Sequence, residues 1–323
     1  MIDGHREDFP SRPGIIFMGT PDFSVPSLKA LIEKDHHVLA VVTQPDRPKG
    51  RGRKMTSSPV KRVAEECHIA VLQPESVSDP LFCEELRGKD PDLLIVVAFG
   101  QILRKGLLTI PAWGALNIHA SLLPKYRGPA PIHWAILNNE DRTGLSAMRM
   151  DEGLDTGPIF FQEAIPIPAH ETAGALHDRL ARLSGGFLIK TLEGLAANRF
   201  KERPQDQAEA TYAPKIGRDT SLIRWDQPAH TVSGLIRALD PWPGAYTTVK
   251  GKEIKVFRAR VTDEKAKDAI PGSVVGQGQG AIYVQAANGV IEIQELQMPG
   301  KKRLPAGDFL RGFPLEKGTI LGS

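Results

Sequence analysis

Cysteine is scarce in this chain. Cys67 and Cys83 are the only two among 323 residues, and they form no CxxC pair. That excludes a disulfide scaffold and a cysteine-built zinc site, and it fits a reducing, cytoplasmic setting. No run is long and apolar enough to cross a bilayer, so no membrane partner is expected. Residues 1–13 carry Asp3, Glu7 and Asp8 and lack an apolar stretch. They read as a flexible extension rather than a secretory signal. Neither GxGxxG nor a P-loop is present, so NAD and ATP are not expected as cofactors. Where a dinucleotide fold would carry its glycines, the chain has Gly19-Thr-Pro-Asp22, which reads as a tight strand-to-helix turn. His170, Glu171 and His177 have the wrong spacing for a zinc helix, so no metal is expected.

What is present is ordinary in bulk, with 41% hydrophobic and 24% charged residues, and the length suggests two domains. The net charge of +3 is unevenly spread. Residues 210–323 hold 16 Lys/Arg against 11 Asp/Glu, and the remainder holds 25 against 27. A basic C-terminal part points to a polyanionic partner.

The apolar runs Gly14–Gly19, Val38–Val42, Leu93–Ala98 and Ala115–Ile118 read as buried strands. Helical spacing covers Phe23–Lys34, and Ser58-Pro59 caps a second helix with Val60, Val63 and Ala64 inward. This alternation predicts an α/β fold with a mostly parallel sheet, whose ligands bind at the carboxyl ends of strands. A long helix is expected over Thr172–Leu195, then a polar, proline-bearing linker over 198–214. Beyond a short helix at Ala229–Leu239, the runs Lys252–Val261, Gly272–Val275, Ala281–Gln285 and Val290–Leu296 read as a small open β-barrel. Gly276-Gln-Gly-Gln-Gly280 falls between two of these strands and reads as a hairpin turn.

The densest chemistry lies at residues 117–131, Asn-Ile-His-Ala-Ser-Leu-Leu-Pro-Lys-Tyr-Arg-Gly-Pro-Ala-Pro. Asn117 and His119 sit two apart at a strand end, so their side chains share a face. A rigid loop follows. The segment from Met148 to Gly157 supplies Asp151, Glu152 and Asp155, from which a carboxylate can reach that strand end. Between Thr43 and Ser58 lie Arg47, Lys49, Arg51, Arg53 and Lys54 against one acid, Asp46. Gly50, Gly52 and two prolines there argue against regular structure, and the cluster suits phosphate contact. Lys250, Lys252, Arg258 and Arg260 share a face by parity if no bulge intervenes, with Lys255 opposite, and Lys301-Lys-Arg303 forms a second group. Trp225 and Trp242 are expected to pack the domain.

Taken together, Asn117–Pro131, Gly153-Leu-Asp-Thr-Gly157, Thr43-Gln-Pro-Asp-Arg-Pro48, Phe17-Met-Gly-Thr-Pro-Asp-Phe23 and Tyr212-Ala-Pro-Lys-Ile216 resemble the methionyl-tRNA formyltransferases. The Asn-x-His and Ser-Leu-Leu-Pro strings are shared by the wider folate-dependent formyltransferase group. The resemblance implies a Rossmann-like catalytic domain at 14–197, a linker at 198–214 and an OB-like tRNA-binding domain at 215–323. It implies formyl transfer from 10-formyltetrahydrofolate to the amino group of initiator methionyl-tRNA by a monomeric enzyme. Asn117 and His119 would then stabilise the oxyanion, and Asp155 would orient His119 or hold a proton-shuttling water. Ser121, Leu122, Leu123 and Pro124 become the folate contact, with Val97–Gly100 bordering the pterin. The tRNA contacts become Arg47, Lys49, Arg51, Arg53, Lys54, Lys250, Lys252, Arg258 and Arg260, with Arg51 foremost at the acceptor end. Two other readings stay open: a formyltransferase for an amino-sugar nucleotide or other small amine, and a non-catalytic tRNA-binding protein.

Overall fold

The computed structural model describes residues 8–49, 54–262 and 269–322. They form two compact units. One comprises Met1–Gly128, Gly144–Ile165 and His177–Tyr212, and the other Pro129–Thr143, Pro166–Leu176 and Ala213–Ser323. These bounds differ from those expected at 14–197 and 215–323. Most of the polar segment 198–214 belongs to the first unit, and two inner segments belong to the second.

In the first unit the strands are β1 (Ile15–Gly19), β2 (Val38–Val42), β3 (Arg47–Lys49), β4 (Lys54–Thr56), β5 (Val71–Leu72), β6 (Leu93–Val97), β7 (Gly114–His119), β8 (Arg142–Arg149) and β9 (Ile159–Pro166). Seven of them make one sheet in the order β5-β2-β1-β6-β7-β8-β9. Pairing is parallel from β5 to β7 and antiparallel between β7 and β8. Strands β1, β6 and β7 are buried at every position, as helices on both faces of a parallel sheet require. One apolar core joins Ile16, Met18, Leu94 and Val96 to Phe82, Leu86, Phe99 and Leu108. The order reverses between β1 and β6, so a crevice opens at their carboxyl ends.

Ser58 caps the helix Pro59–Glu66 as expected, accepting from the Lys61 N–H at 3.0 Å. The basic loop departs from expectation. Its two arms pair as an antiparallel ribbon, with Arg47 opposite Thr56 and Pro48 opposite Met55. Proline is tolerated on such a two-stranded edge. Residues 50–53 between the arms, Arg51 and Arg53 included, lie outside the described residues. Of the extension, Phe9 packs edge-on against Trp113 at 4.9 Å.

In the second unit β10 (Ala245–Val249), β11 (Lys252–Thr262), β12 (Val274–Gly278), β13 (Ala281–Gln285), β14 (Val290–Gln297) and β15 (Leu304–Pro305) form an antiparallel sheet. The path β10-β11-β14-β13-β12 has β10 and β12 at its two ends, with β15 added beside β14. Its core gathers Ile254, Val256, Ile282, Val284, Ile291 and Ile293 around Trp225 and Phe309. The glycine run is partly strand: β12 extends through Gly278, and Gln279-Gly280 make the turn with φ of 50° and 77°. Trp225 packs as expected, donating from Nε1 to Thr247 Oγ1 at 3.0 Å. Trp242 does not pack the domain. It is 73% exposed, because Pro241 and Pro243 keep it in the turn before β10.

The parity expected along β11 breaks at Arg258, whose φ is +46°. Ile254 and Val256 are buried, yet Arg258 and Arg260, at the same parity, are exposed. Arg258 lies 3.2 Å from Glu295 and Arg260 2.8 Å from Glu292. Lys250 is in the turn before β11, and its ammonium and that of Lys252 stand over Phe313. The cations therefore do not share a single strand face. Arg303 pairs with Asp240 and Glu295.

Candidate active site

Asn117 and His119 leave β7 on one face, and both are nearly buried. Strand β8 runs antiparallel and ends beside Leu116, so the loop after it must fold back over that face to reach them. Asp151 ties this loop down, accepting from Gly153 N–H at 3.0 Å and Thr156 Oγ1 at 2.7 Å. Asp151 is thus the turn-forming acid, Glu152 is exposed, and Asp155 is the one carried to the strand. Asp155 holds φ +54°, a strained conformation for a residue with a side chain.

The three side chains meet. Asn117 Nδ2 donates to Asp155 Oδ1 at 3.4 Å, and His119 Nδ1 stands 3.7 Å from Asp155 Oδ2. The latter is too long for a direct hydrogen bond. What orients the imidazole is the Tyr126 carbonyl, 2.9 Å from His119 Nε2. A carbonyl only accepts, so Nε2 carries a proton, and Nδ1 faces the carboxylate. The second oxygen of Asp155 accepts from Gly128 N–H at 2.8 Å. Sequence reasoning foresaw the trio but not these backbone partners.

The Ser121–Pro124 string divides. Ser121 and Leu123 face inward. Ser121 Oγ donates to Lys125 O at 2.6 Å, and Leu123 packs on Met148 and Ile159. Leu123's amide is also committed: its N–H donates to Ser146 Oγ at 3.0 Å and its carbonyl accepts from Gln162 Nε2 at 2.9 Å. Leu122 and Pro124 stay partly exposed and are the members left to touch a ligand.

A cleft of ≈ 580 Å³ occupies the crevice, lined by Thr20, Gln44, Arg47, Ser57 and Phe99 among others. None of Asn117, His119, Asp155 or residues 121–124 lines it, whereas Ala98–Gly100 do. Thr20 and Gln44 went unassigned in the sequence, although Thr20 directly follows β1 and Gln44 lies two residues beyond the end of β2. Thr20 Oγ1 donates to Phe99 O at 3.0 Å, and Gln44 Nε2 does so at 3.4 Å.

The root of the basic loop is clamped beside this cleft. Lys61 Nζ donates to Asp46 Oδ2 and to Gln73 Oε1, each at 2.8 Å. Gln73 Nε2 donates to Asp46 Oδ1 at 2.8 Å and to Gln44 O at 3.0 Å. The Lys61 bond first, and the Gln73 bond next, hold the Asp46 carboxyl below the usual carboxylate range. A depressed folded value means the clamp is intact above the ordinary aspartate range and lost as pH falls through the lower folded one. A carboxyl-carbon NMR titration should therefore give Asp46 a midpoint below the ordinary value, and Lys61→Met should move it upward. An unchanged midpoint in the variant would refute the clamp.

Among the described residues no group of three or more His, Cys, Asp or Glu is placed to hold a metal ion, and no helix is long and apolar enough to cross a membrane.

Comparisons with known proteins show what the whole chain is similar to. The family described as "Formyl transferase" matches residues 14–192, and "Formyl transferase, C-terminal domain" matches residues 215–314. A methionyl-tRNA formyltransferase of Pelotomaculum thermopropionicum is 50% identical over 95% of this chain and 98% of its own length. That of Moorella thermoacetica is 48% identical over 95% and 99%. Solved structures share the fold. The methionyl-tRNA formyltransferase of Clostridium thermocellum has a TM-score of 0.55 at 20% identity, over 78% of this chain and 94% of its own. The sugar 3N-formyl transferase WlaRD has a TM-score of 0.66 at 19% identity, over 91% and 100%. The Asn117–His119–Asp155 cluster thus lies in a protein that belongs, along nearly its whole length, to the methionyl-tRNA formyltransferase family of formyl-transferring enzymes.

Proposed function

We propose that the protein moves the formyl group of 10-formyltetrahydrofolate to the α-amino group of methionine esterified to initiator tRNA. The observation that carries this reading is the convergence of Asn117, His119 and Asp155 at the end of a central strand. The relatives at about half identity, whose names give the acceptor, support the choice of methionyl-tRNA.

The folate supplies a formyl group on an amine that can depart. When the methionine nitrogen bonds to the formyl carbon, negative charge grows on the formyl oxygen. Asn117 is a neutral amide whose N–H can turn from Asp155 to that oxygen. His119, held by Tyr126, presents Nδ1 toward the Asp155 carboxylate and can pass a proton in that direction. As the carbon–nitrogen bond to the folate breaks, a proton leaves the attacking amine and reaches the departing nitrogen. At 3.7 Å, Asp155 and His119 leave this transfer to a water between them. Leu122 and Pro124 edge the folate, Ala98–Gly100 border its pterin, and Arg47, which lines the same cleft, contacts the acceptor end of the tRNA.

Labelled 10-formyltetrahydrofolate, offered Met-tRNA or an amino-sugar nucleotide, tests the reading. Label should pass to Met-tRNA only. Transfer to the sugar would favour the small-amine alternative, and transfer to neither would leave a tRNA-binding protein. A second expectation concerns the loop. Arg51→Leu should raise KM for Met-tRNA by roughly 10-fold or more, as loss of a charged phosphate contact does, while KM for the folate stays constant. Equal change in both would remove Arg51 from the tRNA contact.

A further inference from the structure

Two residues of the tripeptide 126–128 hold His119 and Asp155. Tyr126 O binds His119 Nε2, Gly128 N–H binds Asp155 Oδ2, and between them lies Arg127. Arg127 is 1% exposed, and the side chains it donates to are neutral amides. Its Nε and Nη2 donate to Gln205 Oε1 at 3.0 and 2.7 Å, and its Nη1 donates to Gln207 Oε1 at 2.8 Å. Gln205 is itself buried, and its Nε2 donates to the carbonyls of Asp155 and Gly157 at 2.8 and 2.7 Å.

The chemistry of these groups leaves one arrangement. A guanidinium only donates, so the Gln205 oxygen must face Arg127. Its amide nitrogen then has to face the loop, where two carbonyls accept its two hydrogens. The same polar segment grips the tripeptide again: Thr211 O accepts from Arg127 N–H at 2.9 Å, and Thr211 Oγ1 from Tyr126 N–H at 2.9 Å. Asp155 and Tyr126 both hold left-handed φ, 54° and 62°. Such conformations persist only where surrounding contacts impose them.

We infer that Gln205 is a positioning residue for formyl transfer, fixing Asp155 through its backbone while Arg127 fixes the orientation of the Gln205 amide. This rests on the catalytic reading of Asp155 and His119. The segment expected to be a mere linker thereby sets the geometry of the reaction centre.

Gln205→Glu in the full chain isolates the effect. It keeps an acceptor for Arg127 but offers the Asp155 and Gly157 carbonyls no hydrogen, so the loop shifts while the buried cation stays partnered. With 10-formyltetrahydrofolate and Met-tRNA as substrates, kcat should fall roughly 10- to 100-fold, as small misplacements of catalytic groups do, with both KM values little changed. Gln205→Ala should lose melting temperature as well as kcat. Wild-type kcat in folded Gln205→Glu would overturn the inference, as would a fall that only follows the folded fraction. Asp155→Asn separates the two levels. If it is inactive while Gln205→Glu is normal, only the positioning role fails. If it turns over normally, the catalytic reading fails and takes this inference with it.

Discussion

Asp155→Asn is expected to lower kcat by roughly 10²- to 10⁴-fold, the span that general acid–base groups contribute. The side chain is nearly isosteric and can still accept from Gly128 N–H, so the loop should stay folded. What disappears is the charge beside His119 Nδ1, 3.7 Å away. Without it a water between the two groups loses its strong acceptor. The amide also brings hydrogens toward Asn117 Nδ2, itself a donor, so one of the two must turn away. Folate affinity should hardly change, because Asp155 lies apart from Leu122 and Pro124 in role. Single-turnover transfer from labelled 10-formyltetrahydrofolate to Met-tRNA, with melting temperature measured in parallel, reads the effect. A folded variant with near wild-type turnover would remove Asp155 from the chemistry.

Asn117 and His119 were legible in the sequence because they share strand parity at a strand end. The glycine-bearing loop offered three acids, Asp151, Glu152 and Asp155, and the family resemblance singled out Asp155 among them. The strands β1, β2 and β6 were legible because their runs are continuously apolar, and β7 was legible from its apolar lead-in Ala115-Leu116. The contacts that hold the trio were not. Arg127 and Gln205 are 78 positions apart, and a polar residue in a loop or linker reads as solvated until tertiary structure buries it. Backbone partners such as Tyr126 O and Gly128 N–H leave no mark in side-chain identity at all. The failed parity of β11 has a like cause, for the left-handed φ of Arg258 is a backbone event on a residue type that does not announce it. Leu122 and Leu123 are identical in type, and only packing decides that Leu123 enters the core while its neighbour keeps a free edge.

Gly157 is where the fold and the chemistry fail together. A Cβ added there would lie 1.9 Å from the Arg149 carbonyl oxygen and 3.0 Å from its carbon, both backbone atoms that cannot rotate aside. The loop closes at this point, with Arg149 N–H donating to Pro158 O at 2.9 Å and Gln205 holding the Gly157 carbonyl at 2.7 Å. Gly157→Ala must therefore open the neck of the loop. Overpacking of this kind costs about 1–3 kcal/mol, and here it acts two residues from Asp155. The variant should lose melting temperature and, beyond that, lose kcat by roughly 100-fold at temperatures where it remains folded, because the carboxylate is drawn off Asn117 and Gly128. Gly153→Ala meets a side chain instead: its Cβ would fall 1.9 Å from Thr156 Oγ1, which can rotate. Its loss should be the milder of the two. Equal tolerance of alanine at both glycines, read by turnover and thermal unfolding, would show that the neck is not what holds Asp155 in place.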